Sequence, residues 1–106
     1  MSATIYCSVY LTAKDLKEAK RISKHILNKR LAACANILKI HSLYWWKGKI
    51  EKSPEYAIIL KTEKSLTKKL ILETKKIHSY TTPCIVVWDI KGGNPEYLKW
   101  IENETQ

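Results

Sequence analysis

A chain of 106 residues, 45% hydrophobic and 27% charged, is long enough for one domain to bury a core without disulfides or a structural metal, and too apolar to be disordered. Its 19 basic against 10 acidic residues give a formal charge of +9, which admits a nucleic-acid or anionic partner but says nothing of fold. Three widely separated cysteines with no C-x-x-C pair argue against a disulfide framework, and the reading places the protein in a reducing cytoplasm.

Met1-Ser2-Ala3-Thr4 lacks the basic and apolar stretches of a targeting segment, and no apolar run reaches the length of a membrane span, so no membrane partner is expected. From Ile5 to Leu11, Ile5, Cys7, Val9 and Leu11 alternate with Tyr6, Ser8 and Tyr10, the period of a strand. Thr12, with Asp15 three residues on, resembles a short capping box. Leu16, Ala19, Ile22, Ile26 and Leu27 then fall on one helical face, and Lys29 and Arg30 sit where a helix C-terminus favours cations. A long strand is predicted over 33–46 and a second over 49–61, joined by a tight Lys47-Gly48 turn. Pro54 marks an edge, a bulge or a kink in the second strand, and the apolar run 56–60 reads as buried on both faces.

Ser65 is a candidate N-cap for a helix running to about His78, with Leu66, Leu70 and Ile77 as its core stripe and lysines opposite. Thr82-Pro83 ends that segment, 84–90 is the last strand, and Gly92-Gly93 turns into a short helix capped by Asn94 with Pro95 in its first turn. The order β-α-β-β-α-β plus a terminal helix predicts an α+β fold of the ferredoxin-like kind, one domain over residues 1–106, with both long helices on one face of the sheet. The other face then carries Tyr6, Tyr10, Tyr44 and Trp46, too much apolar area for a solvent face. Oligomerisation would cover it, and Tyr44, Trp45 and Trp46 beside the Lys-Gly turn are the expected contact with other copies.

Leu31-Ala32-Ala33-Cys34-Ala35-Asn36 and Tyr44-Trp45-Trp46-Lys47-Gly48-Lys49 resemble the signature of the CutA family. Ile59-Leu60-Lys61-Thr62, His78, Tyr80, Thr82-Pro83 and Gly93-Asn94-Pro95-Glu96-Tyr97-Leu98-Lys99-Trp100 extend the resemblance over most of the chain. It implies a ferredoxin-like subunit in a tight homotrimer resembling the PII signalling proteins, a link to tolerance of copper and other divalent cations, and no catalytic activity.

The departures bear on chemistry. Where copper-binding relatives are proposed to use a cysteine before the first helix and a histidine pair after the second, this chain has Leu11 and Ile77-His78. Lys47 and Cys84 stand where many relatives carry glutamate. The candidate ligands for copper or another divalent cation are therefore His78 and Cys84, the latter with Cys7 from a neighbouring strand. Against this stand a histidine favoured by a helix end and cysteines acting as small buried hydrophobes. His25 and His41 read as surface residues.

If the family geometry holds, Lys61, Glu63 and Tyr80 line a cleft between subunits, and a basic cleft suits a small anion. No phosphate-cradling glycine loop and no nucleophile–base array is present, so catalysis is not expected. Three functions compete: a non-catalytic trimer in metal response, a PII-like sensor of a small anionic ligand, and a non-specific basic nucleic-acid binder built on charge plus exposed aromatics.

Overall fold

The computed structural model describes residues 5–106; Met1–Thr4, read above for targeting signals, lie outside the described residues. The elements are β1 (Tyr6–Ala13), α1 (Leu16–Asn28), β2 (Cys34–Trp46), β3 (Lys49–Glu63), α2 (Thr67–Ile77), β4 (Ile85–Ile90) and α3 (Pro95–Glu104), with a single 3-10 turn at Lys64–Leu66. The four strands form one antiparallel sheet in the order β2-β3-β1-β4, the ferredoxin-like arrangement.

Strand alternation decides the two faces. Val9, Leu11 and Ala13 of β1 and Ile58 and Leu60 of β3 point to one side, where Ala19, Ile22 and Ile26 of α1 and Leu70 of α2 complete a fully buried core. The two helices lie antiparallel in this layer. Arg21 Nη1 donates to the Ile77 carbonyl at 2.9 Å and His25 Nε2 lies 3.2 Å from Glu73 Oε1, so advancing along α1 retreats along α2. Leu16, expected in the core stripe, is exposed at the first turn, because the helix begins there rather than at Thr12.

The helix starts are the main local correction. Thr12 still belongs to β1, and Asp15 is the N-cap, its Oδ1 accepting from the Glu18 backbone N–H at 2.8 Å. Glu18 reaches back to the Lys14 N–H at 3.0 Å, so the working pair is Asp15-x-x-Glu18, three residues past the expected one. Likewise Ser65 caps nothing by side chain. It lies inside the 3-10 turn, where Thr67 Oγ1 donates to the Lys64 carbonyl at 2.8 Å, and α2 begins at Thr67.

The end of α1 closes as a Schellman motif: Leu31 N–H donates to the Ile26 carbonyl at 3.1 Å and Arg30 N–H to that of Leu27 at 3.0 Å. Arg30 takes the left-handed conformation (φ 59°) that glycine usually supplies there, and Leu31 is buried beside Ile26 in the core. Asn94 caps α3 as expected, accepting from the Glu96 N–H at 3.1 Å, with Pro95 in the first turn.

Candidate functional site

The face of the sheet away from α1 and α2 has two ends of different character. At the foot, where β1 starts and β3 finishes, α3 lies across it. The Tyr6 hydroxyl donates to Glu102, Thr105 Oγ1 donates to Glu63 Oε2 at 2.7 Å, and Cys34 Sγ sits 3.3 Å from the Tyr97 hydroxyl. Arg30 locks the helix end, pairing with Glu104 at 2.7 Å and accepting the Gln106 N–H through its carbonyl at 3.0 Å. The hydrogen bond to Glu102 pushes the Tyr6 phenol up to about 12, so it stays a neutral donor. Part of the apolar face assigned to oligomerisation is thus covered by the chain's own C-terminal helix.

At the head, where β1 ends, the segment after α2 folds from the helix layer round the end of the sheet. His78 anchors it. The Tyr80 N–H donates to His78 Nδ1 at 3.0 Å, which leaves the proton on Nε2, and Nε2 lies 2.7 Å from the Thr12 carbonyl. The Ser79 N–H donates to Glu18 Oε2 at 2.9 Å. Burial opposes ionisation of Glu18, but the hydrogen bonds from Ser79 and Lys14 win and hold its carboxyl below the usual range. Tyr80 then reaches the open face and donates to Glu55 Oε2 at 2.7 Å; Glu55 is only 6% exposed. Burial first, then Glu55, push the Tyr80 hydroxyl far up.

Tyr10 stacks on Trp88 beside this pair, ring centroids 5.2 Å apart. Cys84 opens onto the same end, its thiol raised by burial and then by Glu55, so it is a poor thiolate at neutral pH.

The expected ligands do not converge. Both ring nitrogens of His78 are engaged, so it offers a metal no free lone pair without releasing Thr12 or Tyr80. Cys7 and Cys84 do not approach each other although their strands are neighbours. Cys7 pairs with Asp89, whereas Cys84 lies beyond the Leu11–Ile85 pair, five positions and roughly 17 Å along the strand. Alternation also puts Cys7 in the core, where burial and Asp89 raise it to about 11, and Cys84 on the open face. Among the described residues no group of three or more His, Cys, Asp or Glu could hold a metal ion.

The three cleft candidates also separate. Lys61 and Glu63 share the foot, where Lys61 Nζ donates to Asn36 Oδ1 at 2.6 Å, while Tyr80 sits by Glu55 at the head, six positions or roughly 20 Å up β3. His25, expected at the surface, is half-buried and pairs with Glu73; His41 is exposed as expected.

Beyond the head, the β2–β3 hairpin leaves the sheet. β1 accompanies β3 only from Tyr56 onward, so residues 49–55 have β2 as their one neighbour. This explains how a continuous strand tolerates Pro54. The arm ends in a Lys47-Gly48 turn with both residues at positive φ, 49° and 79°. Near its tip Leu43, Trp45 and Ile50 are 65%, 72% and 58% exposed, with Tyr44 and Trp46 beside them. Tyr44 and Ser53 share a 2.9 Å hydrogen bond on one face of the arm. A two-stranded ribbon is marginal in water by itself, so a bare arm of this composition is built to be covered.

Comparison with known proteins decides the lineage. A family described as CutA1 divalent ion tolerance protein matches residues 7–104. The chain belongs to the CutA family. It is 47% identical over 98 residues to the divalent-cation tolerance protein CutA of Archaeoglobus fulgidus, covering 92% of this chain and 96% of that one. It is 41% identical over 98 residues to the Pyrococcus horikoshii protein of the same name, covering 92% and 96%. The human protein CutA is longer: 35% identity over 100 residues covers 93% of this chain but 56% of the human one.

Among solved structures, the one described as the periplasmic divalent cation tolerance protein CutA from A. fulgidus superposes with a TM-score of 0.95 at 45% identity, covering 96% of this chain and all of the other. CutA1 from Oryza sativa gives 0.93 at 38% identity over 98% of each chain.

Sequence reasoning passed over Glu18 and Glu55. Asp15-Leu16-Lys17-Glu18 is a legible capping box one register later than the one chosen. Glu55 carried a weaker signal, a lone carboxylate between Pro54 and the apolar run Tyr56–Leu60.

Proposed function

We propose that this CutA protein is a non-catalytic homotrimer that acts in the tolerance of, and response to, divalent cations, copper among them. The observation that carries the reading is the bare aromatic arm at residues 43–50 on a chain of this family: an isolated subunit has no means of burying it. Metal handling draws its support from the family, whose relatives are named for divalent-cation tolerance. Because His78 and Cys84 are not assembled with other ligands inside one subunit, a directly bound ion would have to be held between subunits, with the exposed Cys84 at the head as this chain's contribution. Three free thiols support a cytoplasmic setting, although the A. fulgidus relative is described as periplasmic; among the described residues no helix is long and apolar enough to cross a membrane.

The test is an anaerobic titration of metal-stripped protein with copper and with zinc, the mass recorded by light scattering. The reading expects three times the 12.3 kDa of one chain and saturable binding lost in Cys84→Ser. A monomer that binds no metal would overturn it. A stable trimer with no specific binding would confine the role in tolerance to an indirect one.

A second reading, a PII-like sensor of a small anion, is favoured by one observation. Lys61 presents its ammonium on the open face and, among the described residues, has the neutral Asn36 carbonyl as its one partner. A thermal-shift screen against anionic metabolites should then find a stabilising ligand whose effect Lys61→Ala abolishes.

A further inference from the structure

The positive charge of this chain is concentrated on one side. Residues 14–29 and 67–77, the layer of α1 and α2, hold ten basic and three acidic residues, +7 of the formal +9. The remaining residues are nearly balanced, nine basic against seven acidic.

Of the helix layer's three carboxylates Asp15 is exposed at the start of α1, where it caps the helix, and the other two do little to soften this field at the surface. Glu18 is 2% exposed and committed to Lys14, Arg21 and Ser79. Glu73 is buried between His25, Lys29 and Lys76. Lys17, Lys20, Lys24, Lys68, Lys69 and Lys75 are exposed and, among the described residues, form no ion pair. The antiparallel packing of α1 on α2 lays these lysines out as two adjacent rows on one face. Self-repulsion of this kind costs stability unless an external anion offsets it.

The occupant follows from what the face lacks. Residues 14–29 and 67–77 contain no tyrosine or tryptophan; the aromatics all belong to the sheet, the hairpin arm, the 78–84 segment and α3. Single-stranded nucleic acid is held by aromatic platforms interleaved with cations, and here the two are on different parts of the molecule. A bilayer-binding helix turns its apolar stripe outward, whereas the core stripes of α1 and α2 pack inward and leave Leu16 and Leu72, 39% and 55% exposed, as separate apolar side chains rather than a stripe. Two parallel rows of ammonium groups without stacking residues match a rigid, regularly spaced polyanion recognised by charge alone.

We propose that the α1–α2 layer is a docking surface for the phosphate backbone of double-stranded nucleic acid, without base specificity. The aromatic arm takes no part in it, so the surface stays available when the arm is covered.

The experiment measures anisotropy of a labelled mixed-sequence 24-base-pair duplex against full-length protein from 50 to 300 mM salt. K20E/K24E/K69E is compared with the charge-matched control K64E/K91E/K99E, exposed lysines outside both the helix layer and the arm, each checked for mass and melting temperature. The expected result is binding that weakens steeply with salt, with at least a tenfold loss for the helix-layer variant and under threefold for the control. The slope of log K on log salt should fall by roughly 0.9 for each phosphate contact removed. Equal losses in both variants would mean that net charge alone drives association, and would overturn the assignment. So would stronger binding to the single strand of the same length, preference for phosphatidylserine vesicles, or no duplex binding at 100 mM salt.

Discussion

At the scale of single residues, two carboxylates on α1 and α2 carry a disproportionate share of the tertiary wiring. Glu73 lies between His25, Lys29 and Lys76, and hydrogen bonds from Lys76 and His25 draw its carboxyl from the ordinary 4.5 down to about 2. A folded-state value below the unfolded one means that the stabilisation is complete above about 4.5 and is lost as pH falls toward 2. Glu18 and Glu102 are lowered as well and add to the same acid limb. Denaturant midpoints followed from pH 6 to pH 2 should therefore fall through that window. Glu73→Gln should start lower at pH 6 and show a shallower decline; an unchanged slope would remove Glu73 from the account. The cap is the sharper local test. Asp15→Ala should cost about 1 kcal/mol, whereas Ser65→Ala, exposed and capping nothing, should change stability by no more than a few tenths of a kcal/mol.

At the scale of elements, the hairpin turn holds an avoidable cost. Lys47 occupies the first position of a two-residue turn at φ 49°, where asparagine is much better tolerated. Lys47→Asn should raise the unfolding free energy by about 0.5–1 kcal/mol, and Gly48→Ala should lower it, since a side chain at φ 79° is strained even with open space around it. A denaturation curve for each variant settles the sign.

The same turn shows how much of the fold was legible in the sequence. The first strand and the two long helices were announced by periodicity, because burial on one face imposes such patterns locally, the hairpin by Gly48, and the terminal helix by Asn94 and Pro95 at its start. The helix starts were missed because two overlapping capping pairs compete, Thr12 with Asp15 and Asp15 with Glu18, and only the length of β1 chooses between them. The candidate site was legible as a set of residues but not as a geometry. Adjacent strands suggested that Cys7 and Cys84 meet, yet register sets their separation along the strand and alternation sets their faces, and neither is written in one strand alone. The terminal helix was visible from its Asn94 cap and Pro95, but nothing in those residues states that it would seal the foot of the open face through Tyr6 and Glu63.

At the scale of the whole molecule, the helices satisfy one side of the sheet, α3 covers the foot of the other, and the arm projects beyond both. The longest dimension is 44 Å against 29 and 22 Å for the other two. The core does not depend on the arm: Val9, Leu11, Ile22, Ile58 and Leu70 are fully buried within one chain. In the trimer proposed above the subunit should thus survive loss of its partners, while the ribbon at 43–50 should not keep its structure alone. Trp45 is the residue to change, because it is the most exposed large apolar side chain and its loss removes nothing from the core. Trp45→Lys should shift the light-scattering mass from three chains to one at micromolar concentration. It should lower the melting temperature, and abolish the dependence of that temperature on protein concentration that an associating native state imposes. Far-ultraviolet circular dichroism should retain most of the helical signal, since α1 and α2 pack on a core to which the arm contributes nothing. A variant that stays trimeric would show that association rests on the open sheet face, with Leu38, Val86 and Trp88, rather than on the arm. A variant that unfolds outright would show that the arm supports the subunit as well as the assembly.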